Sequence, residues 1–178
     1  MWASLSARRA DTEALDAATQ SELDSARAEI EQSANEDEAF YILGRYAKEL
    51  ANTDGLAFFR YSPSDNSLKC VQSSEGSYRF LRGHVFYSGE RITGWAWANR
   101  RTICNGNAAL ELSDVPGFAE PLKSALSTTV AAESGTEPVG VLTAYADQPD
   151  AFEPRHVYAF ERLSEFLGSY ISKIACTA

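Results

Sequence analysis

The sequence predicts an α+β fold, with one antiparallel β-sheet covered by terminal helices on one face and by a short helical insert on the other. Three observations carry this expectation. β-prone runs flank turn-forming clusters at two places, "SPSDNS" and "ESGTEP". Apolar helical stripes lie outside both hairpins, towards each end of the chain. The stretch between the hairpins holds only short helical patterns, broken by Gly and Pro.

The elements follow in order. Residues 1–34 contain no Gly or Pro and are rich in Ala, Ser and Glu. Leu23, Ala26 and Ile30 follow 3,4 spacing, with Leu15 upstream, a weak coiled-coil stripe that fails at Ser33 and Asp37. This segment reads as a helical linker, and residues 35–178 as the domain proper. "SANEDEAF" opens the next helix. Ser33 or Asn35 supplies the cap, and Glu36, Asp37 and Glu38 suit the positive end of the helix dipole. Phe40, Leu43, Ala47 and Leu50 form its apolar face, and "ANTDG" ends it.

A hairpin then pairs residues 55–61 with 67–73. "SYRFLRGHVFYSGE" favours neither helix nor strand. "ITGWAWANR" reads as a short helix and "TICNG" as a short strand. Residues 108–123 form a loop with helical turns, because Pro116, Gly117 and Pro121 prevent any long element. The second hairpin pairs residues 125–132 with 139–145. Its alternation is imperfect, as in strands covered on both faces. In the closing helix Pro154 sits near the first turn, as favoured there. Phe160, Leu163, Leu167, Tyr170 and Ile174 form a stripe that Val157, Phe166 and Ile171 widen beyond what one contact with a sheet requires.

Composition excludes several function classes. A chain of 178 residues with 44% hydrophobic residues and net charge -9 can bury a core, but lacks the clustered Lys and Arg of a broad nucleic-acid binder. The acidity also disfavours an anionic membrane surface. No apolar run approaches the ~20 residues of a membrane span, and the N-terminus lacks an apolar signal-peptide core. A cytoplasmic location is therefore expected. Cys70, Cys104 and Cys176 are odd in number and far apart, so neither a disulfide framework nor a zinc site is expected.

The stretch "GERITGWAWANRRTICNGN", residues 89–107, invites a catalytic reading. Gly89 and Gly94 have the outer spacing of a phosphate-binding loop. Trp95 and Ala96 stand where that loop needs Lys and Ser or Thr, which rules it out. Trp95 and Trp97 lie two apart and cannot share a helix face; Trp95 is expected in the core and Trp97 part-exposed. Glu111, Asp114, Glu133, Glu137, Asp147 and Asp150 fall in loops and turns and are expected to be solvated.

Over residues 36–175 the chain resembles a GAF domain, the sensory module of bacterial signalling proteins. The resemblance rests on "SGERITGWAWANRRTICNGN", "LKSALSTTVA", "EPVGVLTAYADQPDAF" and the closing helix. Arg91 stands where the family phrase Gly-Glu-Gly-x-x-Gly-Trp has its second glycine, and Thr129 where many members carry Pro. The wording is closest to GAF modules placed before diguanylate cyclases and histidine kinases. No such output is visible, which implies a fragment of a larger protein or a stand-alone sensor.

The resemblance implies a GAF/PAS-like sheet and a non-enzymatic regulatory module. Such a module binds a small ligand of unknown identity, forms a homodimer through its terminal helices, or does both. It also implies a pocket between sheet and insert. Phe59 with Trp95 or Trp97 would supply aromatic walls there. Asn105, Asn107, Ser127, Thr129, Thr143 and Tyr145 would supply polar groups, although Asn-Gly-Asn is also ordinary turn chemistry. The alternatives are a cofactor protein or thiol enzyme built on Cys104 or His84, and a purely structural dimerisation module. Haem would need His84 or His156 as axial ligand, and His156 is expected to be exposed. Bilin attachment commonly uses Cys followed by His, whereas Cys104 precedes Asn105. Methionine sulfoxide reductases of this fold use clustered cysteines, which this chain lacks. The cyclic-nucleotide signature Asn-Lys-x-Phe-Asp-Glu is also absent.

Overall fold

The computed structural model describes residues 2–118, 121–131 and 137–177. Helix α1 spans Trp2–Glu31 and α2 spans Glu36–Leu50. Strands β1 (Gly55–Ser62) and β2 (Ser67–Ser73) form the first hairpin. The ambiguous stretch becomes a 3-10 turn, Gly76–Leu81, and a short strand β3, Val85–Tyr87. Helix α3 (Arg91–Asn99), strand β4 (Ile103–Asn107) and the single-turn helix α4 (Ala108–Glu111) follow. Strands β5 (Ser124–Val130) and β6 (Gly140–Ala146) form the second hairpin, and α5 (Pro154–Thr177) closes the chain. The turn expected at "ESGTEP" falls largely outside the described residues, and Ala132 and Glu133 lie outside them as well.

The six strands are antiparallel in the order β3-β2-β1-β6-β5-β4. The two hairpins meet in the middle, where Phe58 pairs with Leu142 and Phe59 with Val141. Because successive side chains point to opposite faces, Phe58 joins the helices and Phe59 the insert. Strands β5 and β6 are buried almost throughout, as expected for strands covered on both sides. On the helix side, Leu56, Phe58, Leu126, Leu142 and Ala144 pack with α2 and α5. On the insert side, Phe59, Leu68, Cys70 and Tyr145 pack with Tyr78, Trp97, Leu112 and Val115.

One bulge matters for the site. Phe59 pairs with Cys70 and Phe58 with Gln72, so Val71 is the extra residue. This shift turns Gln72 to the helix side, where its amide donates to Asp37 of α2. It also puts Ser73 opposite Ala57, on the insert side.

Helix α2 starts as its sequence suggests. The Asn35 carboxamide oxygen accepts from the Glu38 amide at 2.9 Å, and the Glu38 carboxylate accepts from the Ala34 amide at 2.7 Å. From Leu23 onward the α1 stripe is spent inside the chain, and the Leu15 side chain lies outside the described residues. Leu23, Ala26 and Ile30 are fully buried with residues of α2 and α5. Tyr46 donates to Glu29 at 2.6 Å, and Tyr170 donates to the Ser33 carbonyl at 3.1 Å. The helical side is therefore a three-helix layer, and α1 fills much of the apolar excess that the sequence offers to a second copy. Gly168 lets α5 touch the sheet, since a Cβ there would overlap the Ala131 backbone. Among the described residues no helix is long and apolar enough to cross a membrane.

Candidate functional site

Five candidate residues share one face of the sheet. Register puts Phe59, Ser127, Thr129, Thr143 and Tyr145 on the insert side, where β5 and β6 align Ser127 with Thr143 and Ala125 with Tyr145. The roof over them consists of the 3-10 turn, α3, α4 and the segment leading to β5. Tyr78 lies over Gly55 and stacks near Tyr145, with ring centres 6.2 Å apart. Phe118 meets Tyr78 edge-on at 5.7 Å.

A buried polar chain joins the roof to the sheet. Helix α3 needs an acceptor for its first amides, and Glu90 at its N-cap supplies no side-chain bond. Glu111 supplies it from 19 residues away. Its carboxylate accepts from the Ile92 amide at 2.6 Å, the Thr93 amide at 3.2 Å and the Thr93 hydroxyl. Thr93 Oγ1 lies 2.9 Å from Thr143 Oγ1, which lies 2.8 Å from Ser127 Oγ. Every partner of the carboxylate is a donor, so the Thr93 proton points to Glu111. Each hydroxyl has one proton. Thr143 must then donate to Thr93, and Ser127 to Thr143. Burial is the largest influence on the Glu111 carboxyl and raises it above its ordinary range, while the Thr93 hydroxyl and the two amides pull it back. The expectation that Glu111 is solvated is thus overturned: it is 1% exposed. The sequence held one clue, an α3 start with no local cap.

Two hydroxyls on the same side have no partner. Ser73 Oγ and Tyr145 Oη are buried without a hydrogen bond among the described residues. Leaving such a group unmade costs about 1–3 kcal/mol. Tyr145 is fully buried; desolvation, then the nearby Glu111 charge, holds its phenol well above its usual range, against a smaller pull from the neighbouring Thr93 hydroxyl, which lies close by but forms no hydrogen bond of normal geometry with it. Tyr145→Phe is therefore expected to leave stability unchanged or raise it by up to about 1 kcal/mol in urea denaturation. A loss larger than that would show that the hydroxyl is satisfied after all, for instance by water.

The tryptophans are reversed from expectation. Trp97 is 3% exposed, stacked on Tyr61 at 4.1 Å with the Arg100 guanidinium 3.8 Å from its ring centre. Trp95 is 46% exposed. The buried face of α3 is set by Thr93, Gly94, Ala96 and Trp97, and Trp95 falls outside it. Trp95 and Asn107 instead line a separate outer cleft of roughly 300 Å³. Asn107 caps α4, its side chain accepting from the Leu110 amide at 3.1 Å. Asn105 clamps the segment before α5, donating to the Phe152 carbonyl at 3.0 Å and accepting from the Phe152 amide at 2.9 Å. Both asparagines bond backbone.

The groups invoked for thiol or cofactor chemistry stand apart from one another. Cys104 points away from the insert side and donates to the Phe152 carbonyl at 3.4 Å. Burial, then Asp150, raises its pKa, the opposite of an activated thiol. Cys70 does face the insert side, but burial pushes its thiol up to about 12. His84 packs edge-on to Phe86 at 4.9 Å, and burial lowers its pKa. His156 is 9% exposed rather than solvated, because its Nδ1 accepts from the Glu153 amide at 3.1 Å. No cluster of three or more potential metal ligands exists among the described residues.

Arg91 is the unusual residue of the roof. Its φ is +57°, a left-handed conformation that glycine adopts freely and other residues adopt at a cost of order 1–3 kcal/mol. Its guanidinium donates to the Leu110 carbonyl, to Ser113 Oγ at 3.1 Å and to Asp114.

The GAF domain family model matches residues 33–172 of the chain. Three solved structures are similar in fold. The GAF domain of a phosphoenolpyruvate-protein phosphotransferase from Coxiella burnetii is 16% identical, with a TM-score of 0.72 over 89% of this chain and 95% of that one. The corresponding domain from Acinetobacter is 15% identical, with a TM-score of 0.70 over 89% and 95%. Free methionine-R-sulfoxide reductase from Neisseria meningitidis, solved with its substrate, is 14% identical, with a TM-score of 0.71 over 90% and 92%. No curated protein matches the chain.

Proposed function

The chain belongs to the GAF domain family, and from that premise we propose that it is a sensory module binding a small molecule between the insert and the sheet. One observation carries the reading: Ser73 and Tyr145 present buried, unpartnered hydroxyls to the same side. A ligand that bonded them would recover free energy that the unliganded fold forgoes. The apolar and aromatic surround of Phe59, Tyr78 and Phe86 suits a small, partly apolar compound. Signalling requires that this ligand bind two helical arrangements with different affinity. The close approach of α5 at Gly168 to Ala131, the residue just after β5, offers a direct route from sheet to helix layer.

In this reading the module is regulatory rather than enzymatic, as an unactivated Cys104 on the far face suits. Its partner is a second copy of itself. Ile174 and the exposed last turn of α5 remain for that contact once α1 has filled the rest. Light scattering at high micromolar concentration tests the dimer, and a monomer there removes it.

Native mass spectrometry of the purified chain, followed by thermal-shift screening against small metabolites, tests the ligand. At least one compound is expected to bind and to lose roughly tenfold in affinity in Ser73→Ala or Tyr145→Phe, about 1.4 kcal/mol. A chain that carries no small molecule and responds to none would leave the reading without support.

A further inference from the structure

The insert is held to α3 by ties that run in both directions. From α3, the Arg91 guanidinium reaches the Leu110 carbonyl, Ser113 and Asp114. From α4, the Glu111 carboxylate reaches back to the Ile92 and Thr93 amides and the Thr93 hydroxyl. Both ties therefore fasten the five residues Leu110–Asp114 to the first turn of α3, whereas Leu112 and Val115 plug the insert-side core beneath.

The two ties differ in strength. Glu111 is buried and its bonds are shielded from water. The Arg91–Asp114 pair is not, with side chains 27% and 69% exposed, so water and salt screen it. The exposed tie also starts from a strained residue, since Arg91 holds a left-handed backbone. A glycine there would relax the backbone and release the segment at once.

We propose that Arg91 and Glu111 form a two-part latch that clamps Leu110–Asp114 over the insert side of the sheet, and that release of the Arg91 half opens that side to small molecules. This rests on the ligand reading above, but its test needs no ligand. Cys70 is buried on the insert side in the same apolar cluster as Leu112 and Val115, so its alkylation by iodoacetamide reports opening. Cys104 and Cys176 are exposed and are first changed to serine.

In that background, Arg91→Gly is expected to speed Cys70 alkylation tenfold or more. Hydrogen exchange at the Leu110–Val115 amides should rise with it, while the β6 amides keep their protection. Asp114→Asn, which leaves the backbone of Arg91 untouched, is expected to act in the same direction more weakly. High salt should speed the wild type but not Arg91→Gly. The proposal is overturned if Arg91→Gly changes neither readout, or if the segment loosens without exposing Cys70. Faster alkylation accompanied by exchange throughout β6 also overturns it, because that is global unfolding. A chain that shows the expected pattern yet binds no small molecule keeps the latch and loses the ligand reading.

Discussion

Gly94→Ala is expected to destabilise the protein by about 3 kcal/mol or more, the upper range for steric overpacking. At an exposed helix position the same change would stabilise by roughly 1 kcal/mol. The sign reverses because a Cβ on Gly94 would overlap the carbonyl oxygen of Tyr87. That oxygen cannot retreat easily. The Glu90 amide donates to it at 3.0 Å, and the Gly89 amide donates to the Gly94 carbonyl at 2.8 Å, so both chains of the crossing are pinned. The midpoint of thermal unfolding should fall by roughly 6–12 °C, taking about 2–4 °C per kcal/mol for a domain of this size. Calorimetry of the variant checks this, and an unchanged midpoint would mean that the close approach is not a constraint.

Glu111→Ala is expected to cost about 3 kcal/mol, because it strips an acceptor from two amides and a hydroxyl in a site that is 1% exposed. Glu111→Gln keeps an acceptor and should cost less. The pair also separates charge from hydrogen bonding. Burial raises the Glu111 carboxyl above its ordinary value of 4.5, so the folded state binds this proton more tightly than the unfolded chain does. The stability it contributes is full below that ordinary value and is lost as pH rises through the folded one. The difference in unfolding free energy between wild type and Glu111→Gln should therefore shift in favour of the variant across that window. Urea titrations at a series of pH values measure it. Parallel pH profiles would show that Glu111 does not titrate differently in the fold.

The sequence carried the order of elements well, for local reasons. The Asn35 cap, the turn cluster between β1 and β2, the apolar spacing of α5 and the breakers Pro116 and Gly117 all act over a few residues. The GAF words then implied a pocket between insert and sheet. The helix α3 was legible as a helix, yet its buried face was not. Trp95 and Trp97 differ only in which side of the turn meets Tyr61, and Tyr61 lies on another element. Glu111 was unreadable for the same reason: its surroundings look like a solvated loop, and its partners lie 18 and 19 residues earlier.

By itself, then, the sequence determined the fold class and the family. Periodicity, turn chemistry and capping are properties of neighbouring residues, and the family words lie in continuous stretches. Only the tertiary structure decided which strand residues share the insert-side face, through the register of β5 on β6 and the bulge at Val71 that turns Ser73 to that side. It alone decided that Leu23, Ala26 and Ile30 of α1 are buried within the chain, that Glu111 caps α3, and that Thr93 meets Thr143 across 50 residues. Those choices depend on the distance between groups far apart in the chain, which the packing of the two layers sets and no local pattern encodes.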